Sequence, residues 1–320
     1  MKSFVTVGLL VLAVGAQAQF TLFASETTSG SLGGNTALYG GVQRYDFATT
    51  GGAGTAGAGI AGSALHDAGG LRMVGNQLYI GNRWGNQNGQ GSVTRYNFNG
   101  STLSFDTEVT GNGMSAIHGI DVSSTTGELF TSGQNNGTRR FLPSGGGFTA
   151  NGGYNNGDLR DVLVSADGTK IYQTLINSVI RVTDLTTNTN TDFAVAGSTA
   201  MHQMALNNGA LYVTSFQSGT VHKIVLNGTL MPVSSSVVAN VSSAIGIAFS
   251  PDGQEMFVSG HETNTISRFL VDGNGGWSAN GSFATGHNMG YLATYGAVPE
   301  PATLSLLGLG ALAVIRRRRK

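Results

Sequence analysis

Apolar and polar residues alternate along most of this chain in short runs, and the runs recur in one order. Ile247-Ala248-Phe249 is followed by Ser250-Pro251-Asp252-Gly253, then by Met256-Phe257-Val258, and after a polar loop by Ile266-Ser267-Arg268-Phe269-Leu270. Pro presets φ at the second turn position, and Asp-Gly adds side-chain capping and a permissive backbone, so these runs are expected to fold back on one another as antiparallel strands. No comparable stretch of helical period occurs outside the two ends.

The unit repeats. Its second strand recurs as Thr21 to Ser25, Leu78 to Gly81, Leu129 to Ser132, Ile171 to Thr174, Leu211 to Thr214 and Met256 to Ser259, with steps of 51, 42, 40 and 45 residues from Leu78 onward. Each third strand carries a cation directly before an apolar residue: Arg44-Tyr45, Arg95-Tyr96, Arg140-Phe141, Arg181-Val182, Lys223-Ile224 and Arg268-Phe269. A more apolar strand precedes the second, as in Val162 to Val164, and a turn such as Asn227-Gly228 leads from the third to a polar outer strand. Four short strands in about 40 residues is the pattern of a propeller blade.

The first unit lacks an inner strand before Thr21, and Gly290-Tyr291-Leu292-Ala293-Thr294 is left over after the last full unit. The fold expected is therefore all-β: a six-bladed β-propeller closed by pairing of the C-terminal inner strand with the N-terminal blade, plus terminal signal and anchor helices. Such closure leaves no open inner edge. The domains expected are a secretory signal over residues 1–18, the propeller over 19–297, and a sorting signal over 298–320.

Composition narrows the chemistry. There are 320 residues with 50 Gly, no Cys, 40% hydrophobic and 11% charged residues. Disulfides, thiol catalysis and four-Cys metal sites are excluded. The formal charge of zero conceals an asymmetry, because without Lys2, Glu300 and the cationic C-terminus 11 basic residues face 16 acidic ones. A body near −5 has no electrostatic reason to seek nucleic acid, and none is expected as a partner.

Met1-Lys2, the apolar run from Phe4 to Val14 and Ala16-Gln17-Ala18 form the three parts of a secretory signal, with cleavage expected after Ala18 and the Sec translocon as the export partner. At the other end stand Pro299-Glu300-Pro301, an apolar run from Ala302 to Ile315, and Arg316-Arg317-Arg318-Arg319-Lys320. A helix of 14 residues spans only about 21 Å, so the five cations decide that this run stops in the membrane. This terminal arrangement resembles the PEP-CTERM sorting signal. The resemblance implies transient anchoring in the inner membrane by the tail, recognition of Pro299, Glu300 and Pro301 by an exosortase, and delivery to the surface or extracellular matrix of a bacterium that makes exopolysaccharide. The repeats are similar to those of YVTN and NHL-type bacterial propellers, with Ser250 to Gly253 and Ser165-Ala166-Asp167-Gly168 as shared inner turns.

Candidate chemistry follows from aligning the inner-strand starts. Gly70, His118, Arg160, His202, Ile245 and Met289 then share one level of the axial channel, with Asp161, Gln203 and Asn288 next to it and His66, Asp67 and His287 slightly upstream. Imidazoles beside a guanidinium suit a carboxylate or sugar acid, and imidazoles alone suit a metal. Apolar Ile245 and Met289 interrupt this ring, and a wet channel lined for solvation is the competing explanation. No inner-strand start carries Glu, the residue type a gluconolactonase-like metal site would require. Exposed Trp84 in the Asn/Gly-rich loop from Gly81 to Gly91 would suit stacking on a sugar ring. Gly52-Ala53-Gly54-Thr55-Ala56-Gly57 matches a dinucleotide fingerprint as a string, but no βαβ unit surrounds it.

Binding or scaffolding at the surface, with exopolysaccharide or a surface protein as ligand, is the expected function. The alternative is a hydrolase or lyase using His118, Arg160 and His202. No catalytic set, metal site or cofactor is expected.

Overall fold

The computed structural model describes residues 19–26, 40–60, 65, 67–83, 90–134, 136–154 and 157–296. The expected signal, the sorting tail, His66 and Trp84 lie outside them. The closing blade holds β1 (Phe20–Glu26), β2 (Val42–Phe47) and β3 (Gly54–Ile60). Blade one is β4 (Ala68–Val74), β5 (Gln77–Asn82), β6 (Ser92–Phe98) and β7 (Leu103–Val109). Blade two is β8 (Ile117–Val122), β9 (Leu129–Gly133), β10 (Gly137–Ser144) and β11 (Gly147–Tyr154). Blade three is β12 (Leu159–Val164), β13 (Lys170–Leu175), β14 (Val179–Asp184) and β15 (Thr189–Ala194). Blade four is β16 (Met201–Asn207), β17 (Ala210–Ser215), β18 (Thr220–Leu226) and β19 (Pro232–Asn240). Blade five is β20 (Ala244–Phe249), β21 (Glu255–Gly260), β22 (Thr265–Val271) and β23 (Trp277–Ala284), and β24 (Met289–Gly296) returns to the closing blade.

Each sheet has four antiparallel strands, and the closing sheet has the order β24-β1-β2-β3. Leu22 pairs with Thr294 and Ala24 with Leu292, so β24, the last described strand, is the inner strand of the closing blade. No helix among the described residues is long and apolar enough to cross a membrane. The glycine-rich string Gly52 to Gly57 runs from a turn into the exposed outer strand β3.

Inner and second strands are buried on both faces, whereas outer strands are mostly exposed. That gradient explains the rising polarity along each repeat. Between blades, aromatic side chains fill the gap: Phe20 and Phe47 stack at 4.8 Å, and Phe47 lies 5.2 Å from Phe257 of blade five.

The recurrent cation of the third strand has the same surroundings in three blades. Arg268 lies 5.2 Å from the Phe47 ring and 5.7 Å from the Phe257 ring, and its Nη2 donates to the Gly52 carbonyl of the next blade at 2.6 Å. Arg95 donates likewise to Gly146, and Arg44 to Gly100 and Ser101. The guanidinium satisfies turn carbonyls of the neighbouring blade while its face covers aromatic rings, a role the point charge of Lys cannot fill. All three arginines also pair with a carboxylate of their own blade, as do Arg140 with Glu128 and Arg181 with Asp192 in blades two and three.

Candidate functional site

Inner strands run the same way around the axis, so their starts form one mouth. His118, Arg160, His202 and Ile245 are each the second residue of their strands. Thr174 donates to the His202 carbonyl, Thr214 to that of Ile245 and Ser259 to that of Gly290, each in the next blade. Gly290, rather than the expected Met289, therefore completes this level. A Cβ on Gly70 would sit 2.3 Å from the His118 carbonyl oxygen, just as one on Gly246 would sit 2.3 Å from that of Gly290, which puts Gly70 one residue deeper than expected. Every inner strand has a one-residue bulge near its start, so the displacements come from the other end. Met73 pairs with Leu78 as Phe249 pairs with Met256, with apolar Val74 one residue beyond, and the equivalent residue of β24 is the polar Thr294.

The structure brings three expected residues together. Arg160 Nη1 lies 3.2 Å from His118 Nε2 and 3.2 Å from Asp158 Oδ1. Tyr291 reaches from the closing blade to blade three, where its hydroxyl donates to the Arg160 carbonyl at 2.6 Å and lies 3.4 Å from His202 Nδ1.

One residue deeper, the axis is filled by Asp161, Gln203 and Tyr291, while Gly70, Gly119 and Gly246 stand at the same level of the other blades. A Cβ on Gly119 would lie 2.4 Å from Asp161 Cα, so these glycines leave the space that the larger side chains occupy. Asp161 accepts from Met204 N at 2.7 Å, and Gln203 Oε1 accepts from Ile247 N and Leu292 N. Asp121 accepts from Val164 N, and Arg72 lies between the two carboxylates, 3.2 Å from Asp121 and 4.0 Å from Asp161. These polar groups join inner strands of different blades across the axis. Below them, at the opposite end, opens a cavity of about 230 Å³ whose lining includes Arg72, Asn207, Phe249, Pro251 and Thr294.

A second ring surrounds the mouth, and the alignment of strand starts misses it. Arg83, Gln134, Phe216 and His261 each follow the second strand of a blade, and their backbone N–H groups donate to Asp67, Ala116, Ala200 and Ser243. Those four acceptors all have φ between 46° and 59°, a left-handed turn at one equivalent position. The Phe216 ring lies 5.9 Å from His202 and 6.2 Å from His261. Arg83 pairs with Asp67 at 2.8 Å, and its Nε is buried without a hydrogen-bond partner. Aligning residues after the second strand, instead of those before the first, would have found this ring.

The buried imidazoles are neutral. Burial, reinforced by Arg160, His261 and Arg83, lowers His202 to about 3, and burial with Arg83, Arg160 and His202 holds His118 well below its ordinary value. Burial raises Asp161 to about 7 against the opposing pull of Arg72. The two effects have opposite signs. Unfolded imidazoles take up protons near pH 6.5, where the folded ones do not, so acid removes stability at about 1.4 kcal/mol per pH unit for each. Asp161 does the reverse, since its folded form binds a proton between about pH 4 and 7 that the unfolded carboxylate has released. His222 and His261 are lowered too and Asp121 is raised, so four imidazoles outweigh two carboxyls, and stability is expected to fall below about pH 6.5. In urea titrations at pH 5 and 7.5, the His118→Gln, His202→Gln double variant should lose much of this slope, and Asp161→Asn should steepen it.

Among the described residues no group of three or more His, Asp or Glu could hold a metal ion.

No curated protein matches this sequence. Among solved structures, the periplasmic gluconolactonase PpgL of Pseudomonas aeruginosa aligns with a TM-score of 0.60 at 16% identity over 83% of both chains. A chain of a nidogen/laminin complex aligns at 0.65 and 12% identity, over 86% of this chain and 98% of that one. A putative 6-phosphogluconolactonase of Bacteroides uniformis aligns at 0.62 and 11% identity, over 87% of this chain and 100% of that one. At such identities the likeness is one of fold. Residues 297–320, immediately after β24, match the PEP-CTERM protein-sorting motif, which marks a chain for export, anchoring through its C-terminal tail and exosortase processing. This chain is thus a six-bladed β-propeller that carries a PEP-CTERM sorting motif at its C-terminus.

Proposed function

We propose that the chain, exported through the Sec translocon by residues 1–18, works at the cell surface or in the extracellular matrix as a binding or scaffold protein. The observation that carries this reading is how the axial polar groups are used. Asp121, Asp161 and Gln203 accept backbone N–H groups of neighbouring blades, and Tyr291 closes the axis onto Arg160. Groups committed to joining blades are poor general acids and bases, because proton transfer would break the contacts that hold the ring. What the mouth offers outward is Phe216 between two neutral imidazoles, with Arg83 and Arg160 nearby. An aromatic face with guanidinium donors suits a carboxylate-bearing sugar polymer, and Trp84, outside the described residues, is the next residue in sequence after Arg83.

Calorimetric titration of residues 19–297 with neutral and uronic-acid oligosaccharides tests this. Binding of the acidic series is expected, weakened about tenfold by Phe216→Ala, the contribution of roughly one stacked ring. Binding unaffected by Phe216→Ala and Arg83→Gln would remove the ligand from this mouth.

The neutral imidazoles of His118 and His202 flanking Arg160 favour a second reading, a hydrolase or lyase. Lactone or glycan turnover that survives the His118→Ala, His202→Ala double variant would dispose of it.

A further inference from the structure

The closing blade differs from the other five at the junction of its inner and second strands. Elsewhere a turn joins the end of the inner strand to the start of the second, as Ser250 to Gln254 join β20 to β21. β24 and β1 are not joined by a turn: Gly296 pairs with Phe20, and Gln19 and Gly296, where the described residues begin and end, stand where the turn would be. A Cβ on Gly296 would lie 2.8 Å from Pro251 and 3.2 Å from the Gln19 carbonyl oxygen. Gln19 and Gly296 thus stand side by side near the axis, on the face of the turns. The mouth formed by His118, Arg160 and His202 opens on the opposite face.

The tether is short. The sorting motif begins at residue 297 and its apolar run at Ala302, six residues after Gly296. Six extended residues reach at most about 20 Å. A strand of six to eight residues is itself roughly 20–25 Å long, so the tether cannot pass around the propeller to its other face. We infer that the tail-anchored precursor stands with its turn face against the lipid surface and its His118, Arg160, His202 mouth directed away from the membrane. The inference rests on the proposed function for the mouth's role, and on the sorting motif for the anchor.

Tethering, rather than attraction, sets this orientation. The turn face carries Asp167 and Asp252, both held below the ordinary carboxylate range by hydrogen bonds with Ser165 and Ser250 among their causes, and both charged at neutral pH. An acidic face gains nothing from anionic lipid, so cutting the tail frees the propeller. The mouth is open to a polymer before processing as well as after it.

The chain has no Cys, which makes single-cysteine labelling clean. Precursor extending to Lys320 would be reconstituted in phosphatidylcholine/phosphatidylglycerol vesicles whose headgroups carry an energy-transfer acceptor. Donors would be placed at Gln254→Cys and Asn274→Cys on the turn face and at Gln217→Cys on the mouth face, all exposed positions. The turn-face donors should lie about 20 Å nearer the lipid than the mouth donor, a strand's length, and all transfer should vanish when the tail is cut. Equal transfer, or stronger transfer from Gln217→Cys, in vesicle-bound protein would overturn the orientation and leave the anchor standing. Protein that fails to float with the vesicles would overturn the anchor, and the orientation with it. Oligosaccharide binding by the vesicle-bound precursor, measured separately, distinguishes failure of the orientation from failure of the proposed ligand.

Discussion

Replacing Arg268 by Ala should destabilise the propeller by about 3–5 kcal/mol, because it leaves a buried carboxylate without its cation. Glu255 is fully buried, and Arg268 Nε donates to its Oε1 at 2.7 Å. Its other oxygen accepts from Gly51 N, in the turn between β2 and β3 of the closing blade. The pair therefore binds blade five to the blade completed by the C-terminus. Removing the guanidinium also uncovers the faces of Phe47 and Phe257. An Arg268→Lys variant should regain only a small part of the loss, since an ammonium cannot cover two rings and reach both Glu255 and Gly52. A double variant, Arg268→Met with Glu255→Gln, should recover much more, because an apolar side chain beside a neutral amide carries no unpaired charge. Urea unfolding of residues 19–297 reads all three. Loss below 1 kcal/mol for Arg268→Ala would show that the charge pair is not buried as described.

Ending the chain at Asn288 should abolish cooperative folding. The truncation removes β24 and with it Met289, Tyr291, Leu292 and Ala293, all buried. Fully burying a large apolar side chain is worth about 1.5–3 kcal/mol, and the strand also carries the ladder to β1 and the Gln203 contacts. Together these approach the whole stability of a domain, about 5–15 kcal/mol. The exposed inner edge of β1 would then be open to pairing with other chains. Scanning calorimetry of residues 19–288 should show no sharp transition, and size-exclusion chromatography should show aggregation. A monomeric protein that melts as sharply as residues 19–297 would contradict the closure.

Blade number and closure were legible in the sequence because each blade repeats one order of buried and exposed strands, and because one inner strand was missing at the start and left over at the end. The recurrent Arg of the third strand was legible as a pattern, but its purpose was not. Its partners, Gly52 for Arg268 and Gly146 for Arg95, lie in other blades at sequence distances no local pattern encodes. At the mouth, His118, Arg160 and His202 were found by counting along the inner strands, and the same counting placed Gly70 and Met289 one residue off. The last apolar residue of an inner strand is not at one level: Val74 lies one position past the equivalent of Phe249, and in β24 that position holds the polar Thr294. Tyr291 was named only as part of the closing strand, since nothing in Gly290 to Thr294 shows that its hydroxyl reaches across the axis to the Arg160 carbonyl. Phe216 and His261 occupy turns, where neither alternation nor helical period marks a position.

The central claim is that the mouth holds an acidic saccharide without transforming it. Its most direct test is to saturate residues 19–297 with a uronic-acid oligosaccharide, separate bound from free, and weigh the recovered saccharide by mass spectrometry. Intact saccharide from wild type, with little retained by the Phe216→Ala variant, is the result expected. Shortened or unsaturated products, formed by wild type and missing from the His118→Ala, His202→Ala double variant, would contradict the claim and make the propeller an enzyme.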